Sequence, residues 1–160
     1  MVEVIFLKKV SDSMTYQVQI VTPEHLNGNK RIFGGTLMGW IDIVAGVTAR
    51  RHSGSDVSTV AVDYLQFKKP AYRNDTILLK GYITAAFNTS MEICVETYKE
   101  TLQGERTLIN KAYFVMVAID ENDKPQKVPK IGFESDFERE EYDAAVKRNE
   151  LRKKRKEMGI

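Results

Sequence analysis

At 160 residues the chain suits one ordinary domain rather than two. With 42% hydrophobic and 29% charged residues it reads as globular, and a formal net charge of +2 gives no electrostatic case for nucleic acid as a partner. The single cysteine, Cys94, cannot close an internal disulfide, the start of the chain lacks the pattern of a secretion leader, and no stretch reaches the roughly 20 apolar residues of a membrane span, so a cytoplasmic setting without a membrane is expected.

Residues 14–21 carry β-branched and aromatic side chains and predict a strand. Residues 22–31 form a loop, with Pro23, Asn27, Gly28 and Asn29 supplying turn chemistry. Residues 36–52 predict a helix that is apolar on most faces and is therefore expected to be enclosed by other elements. Arg50, Arg51 and His52 suit its last turn, and Gly54 its stop. The period then changes, and residues 57–67, 76–87, 90–101 and 106–119 predict four long strands. The links at Asn88-Thr89 and Gln103-Gly104 are short enough for antiparallel hairpins, while 68–75 forms a longer corner bent by Pro70. One strand, one buried helix and a run of strands is an α+β order, most simply a curved antiparallel sheet folded round a central helix. Ser135-x-x-Glu138 is a capping-box pattern. Six acids fall in 134–143 and seven bases in 147–156, the order a helix dipole prefers. Apolar residues are sparse there. The chain therefore divides into a domain at 1–133 and a charged helix or fraying tail at 134–160, solvated along its length.

The chemistry concentrates around Asp42. Gly35, Gly39, Asp42 and Gly46 recur at helical spacing and make one stripe. Each interior glycine costs about 1 kcal/mol of helix propensity against alanine, so something must approach the stripe closely: a substrate, a strand of the sheet or a second subunit's helix. A carboxylate inside an apolar helix is costly unless it is used or satisfied. Asp42 is thus a candidate catalytic acid, or else a structural one bonded within the fold. Gly34 and Gly35 open the helix, where free backbone N–H groups can hold a carbonyl oxygen as charge develops on it. The plain alternative is a loop-to-helix junction. His25, His52 and Cys94 form no ligand pattern, so no metal is expected. Cys94 alternates with Ile93 and Val95 as a small packed residue.

Several spaced motifs now come together: Asn27, Phe33-Gly34-Gly35-x-Leu37-Met38-x-Trp40-Ile41-Asp42 and Ala49-x-Arg51-His52. Val60-Ala61-Val62-Asp63, Phe67-x-x-Pro70, Asn88-Thr89-Ser90-Met91-Glu92 and Val117-Ala118-Ile119-Asp120 before Val128-Pro129 follow in order. This series resembles the hotdog-fold acyl-CoA thioesterases, from the first strand to Pro129. The resemblance implies a central helix gripped by a curved antiparallel sheet. It implies homodimers that join two sheets into one, often built into a trimer of dimers. It also implies a site between subunits, with Asn27 and the Gly34 and Gly35 backbone from one and Asp42 from the other. Lys30 stands where family members often carry glycine. Hydrolysis of acyl-CoA to free fatty acid and CoA is then expected, with Asp42 as general base or nucleophile and Asn27 orienting water or carbonyl, and no cofactor beyond the CoA of the substrate. Basic residues at the mouth suit the CoA phosphates, with Lys68, Lys69, Arg73 and Lys130 as candidates. By resemblance, Thr59 and Ser90 would line the pantetheine path. Two rivals remain: a non-catalytic acyl-CoA sensor, which usually joins a DNA-binding domain absent before residue 14, and a hotdog dehydratase, which wants a histidine that the central helix lacks before His52.

Overall fold

The computed structural model describes residues 7–160. The reading of the first residues as no secretion leader falls partly on 1–6, outside that range. In chain order the elements are β1 (Leu7–Lys9), α1 (Val10–Ser13), β2 (Thr15–Ile20), α2 (Gly34–Ser53), β3 (Asp56–Phe67), β4 (Thr76–Ala86), β5 (Ser90–Glu100), β6 (Arg106–Ile119), β7 (Lys130–Gly132) and α3 (Asp136–Met158). Every long element expected from periodicity forms, with its ends shifted by no more than two residues. The short β1–β7 parallel pair, the single turn α1 and a 3-10 turn at Pro23–His25 were not expected. They are too short to carry a period of their own.

The five long strands make one antiparallel sheet in the order β2-β4-β5-β6-β3. Strand alternation gives it two faces. Met91, Ile93 and Val95 of β5 are buried on the face that holds α2, with Phe114 and Met116 of β6 beside them. Leu37, Ile41, Val44 and Ala45 of α2 complete this core. Closest approach is at Gly81, where a Cβ would lie 2.6 Å from Thr48 Oγ1 and 2.7 Å from Val44 Cγ1. Only a residue without a side chain lets the helix sit this near the sheet. This is the hotdog arrangement.

Two expectations need correction. First, α2 is not enclosed on all sides. Leu37, Ile41, Val44, Ala45, Thr48, Ala49 and His52 are buried, but Met38 and Ile43 remain 41% and 58% exposed on the opposite side. The helix is apolar all round, yet one chain supplies only one wall. Second, α3 is not a solvated tail. Ser135 Oγ accepts the Glu138 N–H at 3.2 Å, as the capping pattern predicts, and Ala145 is fully buried. Further along, Arg148 donates to both carboxylate oxygens of Glu92, with Nη2 at 2.7 Å from Oε1, and Arg152 Nη1 reaches Oε2 at 2.8 Å. Thr84 Oγ1 donates to Glu92 Oε1 at 2.8 Å. Glu92 has no exposed surface, so α3 is anchored through a buried carboxylate rather than an apolar stripe. Arg152 and Arg155 also bind Asp63 Oδ2, at 3.3 and 3.1 Å.

At the far end of α2, Gly54 closes the helix at φ 70° and its N–H donates to Arg50 O. Fully buried His52 lies with Nε2 2.9 Å from Pro129 O, and burial lowers its pKa and holds it neutral. Among the described residues no helix is long and apolar enough to cross a membrane.

Candidate active site

The loop before α2 is organised by Asn27. Its Oδ1 accepts the N–H groups of Asn29 at 2.9 Å and Arg31 at 3.3 Å, the short-range turn that asparagine favours. Its main chain closes the same loop, donating to Arg31 O at 2.8 Å and accepting Lys30 N–H at 3.0 Å. Lys30 sits in the left-handed region with φ 57°, a conformation that glycine takes without strain. Phe33 N–H donates to His25 O at 2.8 Å and aims the chain into the helix. Phe33 provides no side-chain cap to α2, so the N–H groups of the first turn are not taken by that residue. Gly35 is confined, because a Cβ there would lie 2.6 Å from the Phe33 ring.

Asn27, Gly34, Leu37, Phe67, Lys68 and Lys69 share the wall of a cavity of about 390 Å³. Four predicted residues thus meet in one place, in the size range of small-molecule sites. Asp42 lies elsewhere. It is exposed in the middle of α2, and Thr59 Oγ1 donates to its Oδ1 at 2.8 Å. Met38, Gly39, Asp42, Thr59, Val62 and Phe114 line a separate cavity of about 300 Å³. Eight residues of helix separate Gly34 from Asp42, roughly 12 Å along the axis at 1.5 Å per residue. The two halves of the predicted site therefore do not act on one carbonyl within a single chain.

The glycine stripe is open. Among the described residues a Cβ at Gly39 or Gly46 would meet nothing within 4 Å. The sheet of the same chain is thereby excluded as the partner of that stripe, leaving a substrate or a second copy.

Other predicted residues are scattered. Thr59 donates to the carboxylate of Asp42 and lines the same cavity. Ser90 pairs with Val117 and alternates with Met91, so it lies on the sheet face away from α2 and apart from Thr59. Arg73 is exposed next to Tyr72, which bridges to Arg31, but it does not line the Asn27 cavity. Lys130 follows Pro129 at the His52 end of α2, about a helix length from Gly34. Cys94 is fully buried and burial pushes its thiol up to about 12, which suits packing and not nucleophilic attack. Among the described residues no group of three His, Cys, Asp or Glu side chains is placed to hold a metal. The carboxylate–threonine pair went unforeseen because the two residues are 17 positions apart on different elements.

The sequence and the fold match known proteins. The family model of the thioesterase superfamily matches residues 29–105, from just after Asn27 through β5. A protein of Bacillus subtilis described as an uncharacterized acyl-CoA thioester hydrolase is 36% identical over 146 residues, spanning 91% of this chain and 85% of that one. An acyl-CoA hydrolase of Staphylococcus aureus, solved with butyryl-CoA, CoA and CoA disulfide, superposes with a TM-score of 0.90 at 34% identity, covering 96% of this chain and 94% of the other. A hexameric acyl-CoA thioesterase solved without ligand gives a TM-score of 0.90 at 38% identity over 94% and 97% of the two chains. With a family-model match through α2 and β3 to β5 and a relative 36% identical over 91% of its length, the chain belongs to the thioesterase superfamily.

Proposed function

We propose that the protein hydrolyses acyl-CoA to a free fatty acid and CoA, at a site completed by a second copy of the chain. The observation that carries this reading is the division of the site. The Asn27–Gly34 pocket at the start of α2 and the Thr59-held Asp42 within it lie about 12 Å apart, with bare Gly39 between them and bare Gly46 beyond. A twofold partner with its helix antiparallel brings the amides of one copy to the acid of the other. The unpaired edge of β3 and its exposed Val60 and Val62 suit the joining of two sheets, and exposed Met38 and Ile43 of α2 suit the helix contact. The hexameric state named for a solved relative supports a trimer of such dimers.

In this site the Gly34 and Gly35 amides polarise the thioester carbonyl, and the Asn27 side-chain amide, whose oxygen is occupied by the loop, donates to water or carbonyl. Thr59 binds Asp42 Oδ1 and leaves Oδ2 for the reaction. As general base, Asp42 takes a proton from water while the water oxygen bonds to the carbonyl carbon. The carbon–sulfur bond then breaks and the CoA thiolate recovers that proton. As nucleophile, Asp42 bonds to the carbonyl carbon and the carbon–sulfur bond breaks to release CoA thiolate; water then opens the anhydride, restoring the Asp42 carboxylate and freeing the acid, with one proton passing to the thiolate and one to solvent. Support also comes from variants of the S. aureus enzyme solved with an aspartate, an asparagine or a threonine replaced by alanine, each numbered one higher than Asp42, Asn27 and Thr59.

The test is thiol release from acyl-CoA. Asp42→Ala is expected to lower kcat by about 10²-fold or more, the usual size for a lost acid–base group, with the oligomer intact by light scattering. Undiminished turnover removes Asp42 from the mechanism. Tight acyl-CoA binding by the unaltered protein without thiol release would make it a binding module instead.

A further inference from the structure

Strand β3 changes faces along its length. Thr59 and Asp63 are four residues apart, and unbroken alternation would set both on one face of the sheet. They point opposite ways. Thr59 donates to Asp42 on the α2 side, while Asp63 binds Arg152 and Arg155 of α3 on the other. The register against β6 gives the reason. Thr59 stands opposite Met116 but Ala61 stands opposite Val115, so one extra residue, Val60, is inserted between them. A second break follows between Asp63 and Gln66, where Tyr64 takes a left-handed φ of 54°. Residues 61–63 thus form a short window with a register of their own, broken off from the strand on each side.

The window shapes the site. Val62 is three residues from Thr59, and the two line the Asp42 cavity together only because Val60 is inserted. If the register of Asp56–Thr59 ran on unbroken, Asp63 would fall opposite fully buried Ala112 on the α2 face, and Val62 would turn away from the cavity. Strand pairing alone is a weak guard against that slip, because β3 is an edge strand whose only strand neighbour in the chain is β6. The carboxylate is a stronger one. Asp63 Oδ2 lies 3.3 Å from Arg152 Nη1 and 3.1 Å from Arg155 Nη2. Arg152 also holds buried Glu92 of β5, so Asp63 is tied through α3 to the middle of the sheet. A slip would strip the carboxylate of both partners and press it against the apolar side of α2.

We propose that Asp63 is a positioning residue for the reaction: by tying β3 to α3 it fixes the register in which Thr59 holds Asp42. The inference rests on the reading of Asp42 as the reacting acid and adds what keeps that acid in place.

The test measures kcat and KM for butyryl-CoA. Asp63→Ala is expected to lower kcat about tenfold with KM within about twofold of the unaltered value, since a displaced carboxylate weakens the transition state and not substrate binding. Thr59→Val removes the hydroxyl and is expected to cost about as much, the lower end for a hydrogen bond to a charged group. With Thr59→Val in place, Asp63→Ala is expected to add less than about twofold, as for two residues acting in series. Arg155→Ala, which removes a half-exposed partner of Asp63, is expected to lower kcat about threefold, and Arg155→Lys to retain it. An unchanged kcat in Asp63→Ala, a full further loss in the Thr59→Val background, a raised KM in place of a lowered kcat, or a loss that tracks dissociation of the oligomer overturns the proposal. Hydrogen exchange read by mass spectrometry answers without turnover. Amides of residues 57–62 are expected to exchange faster in Asp63→Ala while those of β4 and β5 hold, and unchanged exchange at 57–62 overturns the proposal. An unaltered protein that cleaves no acyl-CoA, with the exchange change present, loses the hydrolase reading and keeps Asp63 as the anchor of Thr59.

Discussion

Lys30 holds a left-handed backbone in the loop that Asn27 closes, and it does so without the freedom of glycine. An L-residue there costs about 1–2 kcal/mol, part of which glycine returns as entropy in the unfolded chain. Lys30→Gly is therefore expected to stabilise the fold by about 0.5–1 kcal/mol and to raise Tm by roughly 2 °C for a chain of this size. Thermal unfolding checks it, and a lower Tm would show that the Lys30 side chain contributes more than its backbone loses. The same geometry accounts for the glycine that the family resemblance places here. At this scale the candidate site was half legible. Asn27, Gly34, Gly35 and Asp42 each carried a local signal: a turn residue, a glycine doublet, a charge in an apolar helix. Thr59 carried none for its partnership, because an ordinary strand threonine reveals nothing of a helix residue 17 positions earlier.

The elements divide in the same way. Strands β2 to β6 and helix α2 follow from alternation and from a change of period, which are properties of neighbouring residues. The seat of α3 depends on a contact 56 positions apart, between Arg148 and Glu92, and no local pattern encodes it. Its run of charge reads as a solvated face because the sequence does not show that a buried carboxylate lies beneath. The consequence is measurable. Removing one partner of a buried ion pair leaves the other charge poorly compensated, at a cost of about 3–5 kcal/mol in a fully enclosed case. Arg148 is itself 20% exposed, and Arg152 and Thr84 remain on Glu92, so the lower end applies. Arg148→Ala is expected to cost about 3 kcal/mol, read from the urea midpoint at constant slope. A change of a few tenths would return α3 to the status of a solvated tail.

For the whole molecule, the decisive question is whether one chain holds a complete site. Among the described residues nothing covers Gly39 or Gly46, Asp42 is exposed beside them, and the Asn27 pocket opens roughly 12 Å away along the helix. An arrangement of this kind predicts complementation between two inactive proteins. In a twofold dimer each site takes Asn27 from one copy and Asp42 from the other. Asn27→Ala and Asp42→Ala homodimers both have two damaged sites. A mixed dimer has one site with both lesions and one with neither. Random pairing at equal amounts makes about half the dimers mixed, and half of their sites intact, so activity is expected to return to about a quarter of the unaltered level. Co-expression with two different tags, followed by tandem purification of the mixed species, raises the expected value to about half. If each chain carried its own site, every site in the mixture would bear a lesion. Mixed dimers would then be no more active than the average of their parents, and the division of the site between copies would be wrong.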